Sequence, residues 1–104
     1  MDARARYEEL ADELAARDPD VSLGKMFGRE VVKRNGKVVV GLGEDAMIFK
    51  LPDPAERERA LGLPGAEPFK PMGRTMKEWV QVPVAQADEW PALAEAALRA
   101  SSRA

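Results

Sequence analysis

The dipeptide Asn35-Gly36 lies between two β-rich runs, Val31-Val32-Lys33-Arg34 and Lys37-Val38-Val39-Val40. A type I′ turn needs positive φ at both central positions, which asparagine and glycine tolerate, so this stretch predicts a tight hairpin. A two-residue turn also sets the register: Arg34 opposite Lys37, Lys33 opposite Val38, Val32 opposite Val39 and Val31 opposite Val40. A second hairpin is expected at Gly43-Glu44-Asp45-Ala46, with Leu42 opposite Met47 and Val40 opposite Phe49. Linked hairpins make an antiparallel sheet, and an apolar sheet face needs a second layer to cover it.

The flanking segments supply that layer. Tyr7, Leu10, Ala11 and Leu14 recur at helical spacing, with Glu8, Glu9, Asp12 and Glu13 elsewhere on the same helix. Asp18-Pro19 ends it, because a residue before proline is pushed out of the α region. Val21 to Phe27 reads as a strand with Gly28 as its exit. Asp53-Pro54-Ala55-Glu56 opens a short second helix with an N-cap acceptor, proline at the first position and glutamate in capping-box position; it runs to about Leu61 and stops at Gly62. A surface loop anchored by Phe69 follows, then a strand within Gly73–Pro83. The last helix has Asp88 as its expected N-cap and Trp90, Leu93, Ala94, Ala97 and Leu98 as its buried stripe, and Ser101 onward is expected to fray. The expected fold is a single α+β domain over residues 1–104. It is a two-layer sandwich with an antiparallel sheet and the helices on one face, in the order helix, three strands, helix, one or two strands, helix.

Alternation sorts the sheet residues by face. On the register above, Val31, Val38, Val40, Leu42, Met47, Phe49 and Leu51 form the core. Val32, Val39 and Ile48 fall on the opposite face with Lys50. In the last strand Met76, Val80 and Val82 share the core side, so Trp79 points away from it, flanked by Lys77 and Gln81. The other reading turns Trp79 inward and Glu78 outward, on a bulged or reversed strand.

At 104 residues the chain can bury roughly 65% of its unfolded surface, enough for a core without staples. It has no cysteine, which removes disulfides and thiolate chemistry and suits a reducing cytoplasm. It also has no histidine, so the commonest general base and zinc ligand is missing. No run approaches the ~20 apolar residues of a membrane span, and the N-terminus lacks the apolar region of a signal peptide. A cytoplasmic protein without membrane contact is expected. The net charge of −2 is unevenly spread: residues 1–20 hold three basic and seven acidic side chains, residues 21–82 eleven and eight. Nucleic-acid binding usually comes with a more basic domain than this.

Lys25-Met26-Phe27-Gly28, the glycine-turned hairpin, Ile48-Phe49-Lys50-Leu51, Pro68-Phe69 and Gly73-Arg74-x-Met76-Lys77-x-Trp79-Val80 occur in that order. In these motifs the chain, over about residues 5–100, resembles the TfoX/Sxy N-terminal-domain family. The resemblance implies an α-β(3)-α-β(2)-α two-layer fold related to YjbR-like domains. It also implies a regulatory role, although the named regulators carry a second, C-terminal domain. It brings no catalytic residues and no cofactor.

The residues offer few sites. Glu44-Asp45 are paired carboxylates, but in a turn, where acidic residues are routine. Gly41-x-Gly43 lacks the third glycine and helix start of a nucleotide fingerprint. The serines Ser22, Ser101 and Ser102 have no evident base. Arg74, Lys77 and Trp79 make a better case, since tryptophan and arginine are enriched at binding hot spots. With Val32, Val39, Ile48 and Lys50 they define a candidate interaction surface for a partner protein or for self-association as a homodimer. The expected function is a non-enzymatic interaction or regulatory module with no metal or cofactor. The alternative is a small-ligand or nucleic-acid binder using Lys25, Arg29, Lys33, Arg34, Lys50, Arg74 and Lys77, and an enzyme is the last choice.

Overall fold

The computed structural model describes residues 2–26 and 28–101. Along the chain run α1 (Ala3–Arg17), β1 (Val21–Met26), β2 (Arg29–Arg34), β3 (Lys37–Leu42), β4 (Ala46–Lys50), α2 (Pro54–Leu61), β5 (Glu67–Pro68), β6 (Trp79–Pro83) and α3 (Trp90–Ser101). Short 3-10 turns at Pro71–Gly73 and Val84–Glu89 precede β6 and α3. The six strands form one antiparallel sheet in the order β1-β2-β3-β4-β6-β5. This is the expected α+β sandwich, with four strands rather than three ahead of α2. The expected extension of the first strand to Phe27, and the expected fraying from Ser102 onward, lie outside the described residues. Ser101, also expected to fray, instead closes α3, its hydroxyl donating to the Leu98 carbonyl at 2.7 Å.

The helices form for the reasons their sequences suggest. The Asp2 carboxylate caps α1 by accepting from the Ala5 N–H at 2.8 Å, and Asp18 leaves the helix with an extended backbone. Tyr7, Leu10, Ala11 and Leu14 are all buried. Asp53 accepts from the Ala55 N–H at 3.4 Å to start α2, whereas Glu56 reaches across to Arg99 at 3.6 Å. Arg57 donates to the Leu51 and Pro52 carbonyls at 2.9 and 3.2 Å and ties α2 to the end of β4. Asp88 is not the cap of α3, because the 3-10 turn runs straight into that helix; its carboxylate instead meets Arg6 at 3.5 Å. Trp90, Ala94, Ala97 and Leu98 are buried as the stripe requires, and Leu93 is half-buried. The Trp90 indole N–H donates to the Val82 carbonyl at 3.3 Å, so the largest core side chain keeps its polar atom satisfied.

The hairpin turns are as expected: Asn35 and Gly36 have φ of 52° and 80°, and Val40 pairs with Phe49 and Leu42 with Met47. The register between β2 and β3 differs. Arg34 pairs with Lys37 and Lys33 with Val38, but Val32 then pairs with Val40 and Val31 with Gly41. Val39 is the extra residue of a β-bulge, which turns the rest of β2 over relative to β3. Val32 and Val39 therefore belong to the helix-side core, with Val40, Leu42, Met47, Phe49, Leu51, Val80 and Val82. Val31 and Val38, expected in the core, stand outside that cluster. Met76 is also no core residue: β6 begins only at Trp79, and Met76 lies in the exposed loop before it.

Candidate functional site

The face of the sheet away from the helices carries the residues that could meet a partner. Val80 and Val82 are buried in the helix-side core, so alternation puts Trp79 and Gln81 on the outer face, where both are half-buried. Lys50 stands directly opposite Trp79 across the β4–β6 ladder, and Ile48 opposite Gln81. Ile48, Val31 and Ala46 are buried yet belong to no part of the helix-side core. This outer face is therefore partly closed by the protein itself.

Arg29 and Phe69 do much of the closing. The Arg29 side chain crosses the bare backbone of Gly41, where an added Cβ would lie 3.5 Å from Arg29 Cδ and 3.7 Å from Val31 Cγ1. Its guanidinium sits 5.3 Å from the centre of the Phe69 ring and donates to the Leu42 carbonyl at 2.8 Å. Phe69 is held by its backbone: its N–H donates to the Trp79 carbonyl at 3.0 Å, and its carbonyl accepts from the Met76 N–H at 2.9 Å. These bonds pinch residues 69–79 into a loop whose root is Trp79 and whose tip is Met72-Gly73, both at positive φ. Lys70, Arg74 and Lys77 are exposed along it, and the loop holds no acidic residue until Glu78.

Of the expected surface residues, the structure brings together Ile48, Lys50 and Trp79, with Arg74 and Lys77 in the adjoining loop. The bulge removes Val32 and Val39. Arg29, Phe69 and Met72 were not among the expected surface residues; the pairing of an arginine with an aromatic forty residues later leaves no local pattern. The broader basic set does not form one patch. Arg34 is engaged by Asp18 at 3.2 Å and Asp20 at 3.8 Å, Arg29 is spent on Phe69 and Leu42, and Lys25 is on the helix side at the other end of the sheet. Glu44 and Asp45 are exposed in their turn. Among the described residues no group of three or more acidic side chains gathers at metal-binding distance, and no helix is long and apolar enough to cross a membrane.

Compared with known proteins, the chain matches no family model, no curated protein and no solved structure. What the surface does is therefore argued from its residues.

Proposed function

We propose that the protein is a non-enzymatic interaction module that engages an acidic protein partner through Trp79 and the loop rooted on it. The observation that carries this reading is the half-buried Trp79 beside Lys50, next to a loop with three exposed cations and two exposed methionines. A rigid aromatic anchor within a cationic rim is the composition of a binding hot spot, and the rim charges favour an acidic surface and speed the encounter. The resemblance of residues 25–28, 48–51 and 73–80 to the TfoX/Sxy N-terminal domains supports a regulatory role for that contact. The lack of cysteine suits a module that works in the cytoplasm.

The test is affinity capture from the native host with the wild-type chain, with Trp79→Ala and with the double variant Arg74→Glu/Lys77→Glu. A partner with an acidic surface should be retained by the wild type at low salt and bind either variant on the order of tenfold more weakly. Equal retention by all three would overturn the proposal. Sedimentation of the same proteins separates this from self-association: a wild-type dimer that Trp79→Ala dissolves would make the partner a second copy.

A further inference from the structure

The opposite end of the sheet presents a different opportunity. The two edges of the sheet are unequal. The β5 edge is two residues long and contains Pro68, a blunt end of the kind that resists pairing. The β1 edge is six residues long and ordered throughout. The Asn35 N–H donates to the Asp20 carbonyl at 3.0 Å, one step beyond the Val21–Arg34 pair, which makes Asp20 and Asn35 a hydrogen-bonded pair. By alternation Gly24 and Ser22 also bond to β2, so the N–H and C=O groups of Leu23 and Lys25 point out of the sheet. The Val21 N–H is already taken by the Asp18 carbonyl.

Beside this edge runs an open groove of about 540 Å³ between α1 and β1, lined by Tyr7, Glu8, Ala11, Asp12, Leu23 and Lys25 among others. Leu23 pairs with the core residue Val32 and so faces the helix side, yet it is 45% exposed because no side chain covers it. Above it Glu8 and Asp12 project from α1. The arginines of that helix have partners, Arg4 with Glu30, Arg6 with Asp88 and Arg17 with Glu95, whereas among the described residues Glu8 and Asp12 have none. A second copy of the chain would bring its own Glu8 and Asp12 against these, so like charges oppose pairing of two β1 strands.

We infer that β1 accepts an extended basic segment of a partner protein as a seventh strand, its lysines or arginines laid over Leu23 with their charges at Glu8 and Asp12. The backbone of Leu23 and Lys25 supplies the main-chain bonds of strand addition. Alternate side chains of the incoming strand enter the groove, where a long aliphatic stem covers Leu23 and its cation reaches the carboxylates. The side chains between them fall on the outer face, next to Gly24 and the exposed Met26, where apolar residues fit. This surface is separate from the Trp79 loop, and the two can stand or fall independently.

The experiment titrates the full chain with a short blocked peptide of alternating lysine and valine, and with its glutamate–valine counterpart, while amide shifts are followed by NMR. The lysine peptide should move the Leu23 and Lys25 amides and slow their exchange; the glutamate peptide should not. Glu8→Lys/Asp12→Lys should weaken binding about tenfold, as loss of two rim charges would. Lys25→Pro removes an outward N–H without breaking a bond to β2, so it should abolish binding in a folded protein, while Lys25→Ala should bind at least as well as wild type. Equal binding of both peptides, binding that survives Lys25→Pro, or shifts confined to other strands would each overturn the inference. So would protection of the same amides in a concentrated sample without peptide, which would make a second copy the occupant.

Discussion

Tyr7 shows how burial alone writes a pH dependence into this chain. Its ring is buried under α1, and that burial, with a smaller contribution from the Glu30 charge, pushes its hydroxyl well above the ordinary phenol value. The folded protein therefore holds the proton while the unfolded chain releases it near pH 10. Stability should be flat in this respect below about pH 10 and then fall by up to about 1.4 kcal/mol per pH unit, because only the unfolded state gains by ionising. Urea titrations at rising pH should show the decline, and Tyr7→Phe should remove this part of it. Tyr7 is the chain's one tyrosine, so its ultraviolet phenolate signal should appear together with unfolding. Two glycines offer a second comparison at this scale. Gly36 and Gly65 have almost the same φ, 80° and 81°, but a Cβ on Gly36 meets nothing whereas one on Gly65 would lie 3.0 Å from Pro83 Cγ. Gly36→Ala should cost about 1 kcal/mol, the price of a left-handed alanine. Gly65→Ala should cost more, since the Pro83 ring must also give way, and thermal unfolding of the two variants orders them.

Within the strands, the decisive feature is the bulge at Val39. Val38, Val39 and Val40 are identical, so deleting any one of them yields the same chain. With a bulge, the shortened β3 can pair Lys33 and Val32 with its two remaining valines in a regular ladder, and everything from Gly41 onward keeps its face. The deletion variant should fold with the native pairings of β4 and β6 and lose about 1.5–3 kcal/mol for the missing valine. In an unbulged sheet the same deletion would turn Leu42 outward and break the core, so denaturant unfolding together with cross-strand NMR contacts distinguishes the two. The bulge also explains where sequence reasoning failed. Asn35-Gly36 and the periodic stripes of α1 and α3 carry their meaning locally, and they placed the turn and the buried faces correctly. Val31-Val32 and Val38-Val39-Val40 carry no alternation, because both sheet faces are covered here, and without alternation a one-residue slip is invisible. Trp79 was half legible: Val80 and Val82 alternate with polar neighbours, which pointed it outward. The inward reading stayed open until the burial of Val80 and Val82 against the helices decided it.

For the molecule as a whole, the same logic separates scaffold from surface. In the helix-side layer α1 and α3 were readable because each carries its own stripe, whereas α2 buries only Ala60. The outer layer was not readable, because Arg29 and Phe69 meet only after the sheet has brought β2 and the loop before β6 together. The acidic flank of α1 and the cationic loop before β6 lie at opposite ends of the sheet, which gives a nearly neutral chain two charged ends of opposite sign. Four of the methionines map onto this arrangement as a graded set: Met72 is 100% exposed, Met26 41%, Met76 40% and Met47 0%. Dilute peroxide should convert Met72 to its sulfoxide first and Met26 and Met76 next, with the protein still folded, as peptide mass spectrometry and circular dichroism would record. Met47 lies at the centre of the β4 pairing and should react only when the entire sheet opens, so its rate should follow the global unfolding equilibrium under added denaturant. The sulfur atoms thus form an internal clock: the loop tip reports solvent contact from the outset, and the central strand reports how often the fold comes apart.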